Sequence, residues 1–116
     1  SPSRGLGDVY KRQILFDDII DTGGTIAAAS RALIERGAKS VSVAATHGIF
    51  SDDSVEKLKD TPIEEIVVTD TLKQNGNIEK IGNVNILSVS SIIATALTSI
   101  FADDSVSAIF MGENVL

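Results

Sequence analysis

The sequence predicts an α/β fold, a parallel sheet with flanking helices, from Ile14 onward. Three observations point to it. Short apolar, β-branched runs alternate with stretches whose apolar residues recur at helical spacing. Turn-forming or polar residues separate the two kinds of segment. Finally, 43% hydrophobic and 22% charged residues in a chain of 116 describe one packed globular unit and not a disordered one.

Ile14-Leu15-Phe16 is a continuous apolar run followed by two acids, which suits a strand buried on both faces with Asp17 and Asp18 at its carboxyl end. After a turn, Ile26, Ala29, Leu33 and Ile34 mark a helix, and Gly37 is placed to cap it after Arg36. Val41, Val43 and Ala45 alternate with Ser42 and Ala44 as a second strand, which leaves through Thr46-His47-Gly48. Ser51-Asp52-Asp53 opens a second helix, because an oxygen there can satisfy free backbone N–H groups and the acids complement the positive end of the dipole. Val55 and Leu58 form its apolar side and Pro62 marks its end.

A third strand is expected over residues 63–69, a polar exit over 73–82, and a fourth strand over 84–89. From Ser90 or Ser91 a helix follows, with Ile92, Ile93, Ala96, Leu97, Ile100 and Phe101 at core-facing spacings and Asp103-Asp104 at its end. The predicted order is β-α-β-α-β-β-α.

Composition narrows the function classes. A net charge of −6 argues against a nucleic-acid partner, since a phosphate backbone is bound chiefly by clustered Lys and Arg. No cysteine, no bilayer-length apolar run and no signal peptide are found, which points to the cytoplasm and away from a membrane. The segment Ser1–Gln13 holds Pro2, Gly5 and Gly7 and little apolar periodicity. It is expected to lie outside the fold as a non-native or disordered leader, and it resembles a translated sequencing adapter. Without it, seven Lys and Arg stand against fifteen Asp and Glu, a net charge of −8.

The segment Asp17–Thr25 carries the chemistry. In open parallel sheets ligands bind beyond the carboxyl ends of the strands, where loops enter helix N-termini. Gly23 and Gly24 let the backbone turn tightly and approach a ligand, so that successive N–H groups can face phosphate oxygens. Thr22 and Thr25 add hydroxyl donors, and the following helix adds its partial positive charge. A phosphate can thus be held without Lys or Arg. Asp17 and Asp18 repel phosphate, but carboxylates accept hydrogen bonds from the vicinal hydroxyls of a ribose. The plain structural alternative is a βα turn with a helix cap, which these residue types also form. Two adjacent carboxylates ending an apolar strand are costly to desolvate without partners, and that cost favours a ligand or metal.

Phe16 to Thr25 resembles the phosphoribosyl-diphosphate motif of type I phosphoribosyltransferases and ribose-phosphate pyrophosphokinases. Arg36-Gly37-Ala38-Lys39, the run from Ala45 to Ser51, Ile66 to Thr71 and Ser105 to Phe110 resemble the pyrophosphokinases in particular. The resemblance implies a type I phosphoribosyltransferase-like fold, here a partial domain over residues 14–116, and a reaction of ATP with ribose 5-phosphate that needs Mg2+. In it the sugar's 1-hydroxyl attacks the β-phosphorus of ATP. Carried over by position, Asp17, Asp21, Thr22, Gly23, Gly24 and Thr25 bind ribose 5-phosphate, and Asp18 serves the ribose hydroxyls or magnesium.

The resemblance also implies an oligomeric parent and a C-terminal regulatory site for phosphate or ADP at Ser105, Val106, Ser107 and Phe110. The family's ATP pocket, its catalytic Lys and Arg, and its metal-binding His precede the segment represented here. The chain is therefore expected to be a C-terminal portion that makes no phosphoribosyl diphosphate alone. Phe16 departs from the aliphatic residue usual in the family.

His47, the sole histidine, is read as a loop residue bonded to nearby backbone and not as a metal ligand. The helix from Ile92 to Phe101 is read as core and not interface, and Asp52-Asp53 and Asp103-Asp104 as solvated helix ends. Two other functions compete: a phosphoribosyltransferase, which leaves Ser105 to Phe110 unexplained, and a non-catalytic regulatory relative, which would be marked by a degraded loop.

Overall fold

A computed structural model describes residues 11–102. Strands and helices alternate throughout: β1 (Arg12–Ile20), α1 (Gly24–Glu35), β2 (Ser40–Gly48), α2 (Asp52–Lys59), β3 (Glu65–Thr69), α3 (Asn77–Ile81), β4 (Val84–Leu87) and α4 (Ser90–Phe101). The four strands form one parallel sheet in the order β1-β2-β3-β4. Among the described residues no helix is long and apolar enough to cross a membrane.

Register places Leu15 beside Val43, Val43 beside Ile66, and Ile66 beside Val84, so these residues share one face. That face carries the core. Val43, Ala45, Ile66 and Val68 meet Ile26 and Ala27 of α1, Leu58 of α2 and Ile81 of α3, with Ile20, Phe50 and Ile63 filling the ends. The alternation read in β2 is present: Val41, Val43 and Ala45 are buried, while Ser42 and Ala44 are only half-buried. Helix α1 ends at Arg36, as its spacing predicts, with Gly37 in the left-handed conformation at φ 107°.

The opposite face corrects the expectation that the first strand is covered on both sides. β1 is an edge strand, and Phe16 is 79% exposed, with Ile14 also exposed. The cause is topological. Strands laid down in sequence order and joined by right-handed crossovers place each connecting helix on the same side. α1, α2 and α3 therefore cover one face, and Ile14, Phe16 and Leu87 remain open on the other.

Helix α4 is a second correction. It spans the expected residues, but none is buried; Ile93, Leu97 and Ile100 are exposed, and Phe101 is 85% exposed. It packs on no other helix or strand among the described residues. The apolar spacing identified the helix correctly, but nothing among the described residues covers its apolar side. Asp103 and Asp104 lie outside the described residues.

Boundaries also move. β1 begins at Arg12, with Arg12 opposite Ser40 and Gln13 opposite Val41, and the Lys11 carbonyl accepts the N–H groups of Lys39 (2.9 Å) and Ser40 (3.0 Å). Arg12 and Gln13, expected outside the fold, are thus part of the sheet, and Lys11 bonds to the residues that enter β2, whereas residues 1–10 fall outside the described range. The polar stretch after β3 contains the extra helix α3, whose start is set by the Asn75 side chain accepting the Asn77 N–H at 2.8 Å.

These two faces should respond differently to truncation. Ile66→Ala, in the covered core, should cost about 2–5 kcal/mol in urea denaturation. Phe16→Ser, on the open face, should stay within about 0.5 kcal/mol of the parent chain. Equal losses would mean that the open face is covered in solution.

Candidate functional site

The turn from β1 into α1 is built on buried anchors. Ile20 is buried, and its carbonyl accepts the N–H groups of Ile49 (2.8 Å) and Phe50 (3.2 Å). The Asp21 carbonyl accepts both the N–H (3.1 Å) and the hydroxyl (3.2 Å) of Ser51. Ser51 stands at the N-cap position of α2, yet its hydroxyl donates to this turn and does not cap its own helix. The turn and the start of α2 are therefore one hydrogen-bonded unit.

Gly23 sits at the N-terminus of α1 with φ 80°. A Cβ there would lie 2.7 Å from the Leu58 Cγ, so both the backbone conformation and the packing of α2 require glycine. Gly24, by contrast, has room: an added Cβ would meet the Lys57 Nζ at 3.6 Å and the Thr22 Oγ1 at 3.8 Å. The Gly24 N–H points at Thr22 Oγ1 at 3.4 Å. The first N–H groups of a helix have no intrahelical partners, and α1 has no acid in its first turn to compete with a ligand for them.

These elements enclose a hollow of about 180 Å³ lined by Asp17, Asp21, Thr22, Gly23, Gly24 and Thr25, with Ile19, Ile20 and Ile26 beneath. Six of the seven residues expected to bind ribose 5-phosphate thus surround one space. Asp18 is not among them. The reason is that β1 continues through Ile20, so the two acids lie inside a strand and alternate between its faces instead of sitting together past its end.

Contrary to expectation, desolvation does not single out these acids. Asp17 and Asp18 are exposed, so neither carries a desolvation cost large enough to demand a partner. What favours a ligand is the convergence of the turn, the hydroxyls and the helix N-terminus. Hydrogen bonding to Asp18, first from its side chain and then from its backbone N–H at 2.7 Å, holds the Asp17 carboxyl below the usual 3.8. Asp17 is thus an anion and a pure acceptor at neutral pH, suited to sugar hydroxyls.

Lys57 does not line the hollow, but its Nζ stands 3.6 Å from where a Gly24 Cβ would lie, a neighbour that the sequence did not reveal. No spacing connects it to Gly24; the two meet only because α2 lies against the β1–α1 turn, with Leu58 packed on Gly23. Its ammonium puts a cation next to a turn that was expected to have none. His47 pairs its Nδ1 with the Thr71 hydroxyl at 2.6 Å, a side-chain partner where backbone was expected. Asp52, read as solvated, accepts a hydrogen bond from the Asn77 amide at 3.1 Å. Ser105, Val106, Ser107 and Phe110 lie outside the described residues.

Among the described residues no three His, Cys, Asp or Glu side chains gather as a metal cluster. Asp17 and Asp21 do border the hollow. Magnesium keeps most of its waters and takes one or two carboxylates together with substrate phosphates. The residues present therefore suit a magnesium ion that arrives with a phosphate, and not a cage built by protein alone.

The Asp17 environment is open to measurement. Because its folded pKa is depressed, any stability it contributes is present above 3.8 and is lost as pH falls through the lower folded value. Carboxyl-carbon NMR should place its midpoint below 3.8, and Asp18→Ala, which removes the side-chain bond and keeps the backbone N–H, should move it part of the way back up.

Comparison with known proteins fits this geometry. The profile of the phosphoribosyl synthetase-associated domain matches residues 2–111. The ribose-phosphate pyrophosphokinase of Buchnera aphidicola is 48% identical over 106 residues, which are 90% of this chain and 34% of that protein. The enzyme of the same name from Corynebacterium glutamicum is 45% identical over 112 residues, 96% of this chain and 34% of that protein. The crystal structure of phosphoribosylpyrophosphate synthetase from Mycobacterium smegmatis superposes with a TM-score of 0.70 at 40% identity, covering 79% of this chain and 30% of that one. The chain spans about a third of the length of the curated relatives it matches. With the β1–α1 turn in place and the match running from residue 2 to residue 111, the chain belongs to the phosphoribosyl synthetase-associated domain family.

Proposed function

We propose that this chain supplies the ribose 5-phosphate half of a ribose-phosphate pyrophosphokinase, as its C-terminal part. The observation that carries the reading is the hollow at the start of α1, where the Thr22–Thr25 turn and the helix N-terminus converge beside Asp17, with Lys57 next to Gly24. The 5-phosphate sits on the N–H groups and hydroxyls of Thr22 to Thr25, with the Lys57 ammonium adding charge. Asp17, held ionised, accepts from the ribose hydroxyls and so fixes the sugar's orientation. Asp18 stands on the other face of β1, where it serves magnesium or a sugar hydroxyl only if the bound sugar reaches around the strand edge.

In this reading the other substrate, ATP, is held mostly by parts of the parent that this chain does not include. The chain's contribution is then positioning: a fixed sugar presents its 1-hydroxyl to the β-phosphorus of ATP, and fixing the reactants removes much of the entropic barrier. Magnesium, bound through Asp17 or Asp21 and the substrate phosphates, would neutralise the charge of the transferred diphosphate. The parent is a homo-oligomer, and Ser105, Val106, Ser107 and Phe110 contribute to a regulatory anion site in it. The names and identities of the relatives support the reaction, and the turn's geometry supports the share assigned to this chain.

Calorimetric titration with ribose 5-phosphate tests the site. Gly24→Ala places a methyl where space is open to protein atoms, so the fold should be kept or strengthened by up to about 1 kcal/mol of helix propensity. The same methyl occupies the ligand's approach, and affinity should fall about tenfold or more. Lys57→Ala should weaken binding about threefold to tenfold and flatten its salt dependence. Unchanged affinity in both variants would remove this site from the account.

A further inference from the structure

The turn between β2 and α2 lies directly behind the candidate loop, and its hydrogen bonds run in two directions. On one side the N–H groups of Ile49, Phe50 and Ser51 all donate to the loop, to the carbonyls of Ile20 and Asp21. On the other side the carbonyls of the same turn accept from three amide side chains that follow β3. Gln74 Nε2 donates to Gly48 O at 3.0 Å, and Asn75 Nδ2 reaches Phe50 O at 3.2 Å. Asn77 Nδ2 donates to Phe50 O at 2.8 Å and to Asp52 Oδ1 at 3.1 Å.

The turn needs this support. Phe50 has φ 50°, a left-handed conformation that a bulky residue adopts only when its surroundings hold it there, and its ring is fully buried. Gly48 is packed so closely on that ring that a Cβ would lie 2.5 Å from the Phe50 Cε2. Asn77 is itself 6% exposed, so its bond to the Phe50 carbonyl is made out of reach of bulk water, and its bond to Asp52 is partly shielded. The Oε1 of Gln74 is buried without a partner among the described residues, so what that side chain contributes rests on its Nε2.

We propose that Gln74, Asn75 and Asn77 are positioning residues for the Asp21–Thr25 loop. They act through the strained Gly48–Ser51 turn and touch no ligand themselves. Their amides pin the turn's carbonyls, and the pinned turn presents its N–H groups to Ile20 and Asp21. Those bonds set where the start of α1 and the hollow lie. Coupling of this kind is reciprocal, so occupancy of the hollow should also tighten the segment from Gln74 to Asn77. The ligand part of this inference rests on the ribose 5-phosphate reading; the geometric part does not.

The test uses the whole chain in three variants. Asn77→Ala and Gln74→Ala remove amide donors, while Ile78→Ala loosens the packing of α3 on the core without touching the turn's carbonyls. Hydrogen exchange at the Ile49 and Phe50 amides, read relative to β2 amides that report global stability, should speed up about tenfold in the amide variants and not in Ile78→Ala. Affinity for ribose 5-phosphate should fall about fivefold in both amide variants and stay within about twofold in Ile78→Ala. Unaltered exchange at Ile49 and Phe50 in both amide variants would overturn the proposal, as would faster exchange with unaltered affinity. If the unmodified chain itself binds no ribose 5-phosphate, the ligand reading falls, and the exchange data alone decide the positioning role. Should Asn77→Ala fail to fold, the half-buried Gln74 carries the same test.

Discussion

Four parallel strands laid down in sequence order can be joined by right-handed crossovers only with every connecting helix on one side. That constraint decides most of what is seen. It puts α1, α2 and α3 together on the face of Val43 and Ile66, which gives the chain its core. It brings the N-terminal ends of α1 and α2 to the same edge of the sheet, which gives the candidate site its neighbours. It also leaves Phe16, Leu87 and the apolar residues of α4 uncovered.

Neighbouring helix starts explain why the loop can be both glycine-rich and well defined. A turn such as Thr22-Gly23-Gly24-Thr25 has many conformations in isolation, since glycine restricts φ little. Here its carbonyls at Ile20 and Asp21 are taken by the β2–α2 turn, and Gly23 is pressed against Leu58. The backbone is thereby committed before any ligand arrives. In the proposed role, an anion would meet N–H groups that need little reordering.

Much of this was legible in the residues because local patterns caused it. The alternation of Val41, Val43 and Ala45, the spacing of Ile26 and Leu33 and the stop at Gly37 are local signals, and each element lies where they place it. The glycine turn was equally legible, since Gly23 and Gly24 announce both tight backbone and close approach. What escaped depended on tertiary arrangement. Lys57 meets Gly24 only through the packing of two helices, and α3 forms where Asn75 happens to bond the Asn77 N–H. Asp17 and Asp18 do not line the hollow together because Ile19 and Ile20 also belong to β1, and a strand sends adjacent side chains to opposite faces. The apolar stripe of α4 signals burial, but a stripe does not name the surface that buries it.

The proposed role of the start of α1 is to bind the phosphate of a phosphorylated ribose. The most direct measurement is a backbone amide NMR titration of this chain with ribose 5-phosphate, with ribose as the comparison. The largest shifts are expected on the amides of Thr22 to Ile26, followed by the neighbours of Lys57, while ribose alone should leave these amides in place. Shifts gathered elsewhere, for example at the start of α4, or an equal response to ribose, would contradict it.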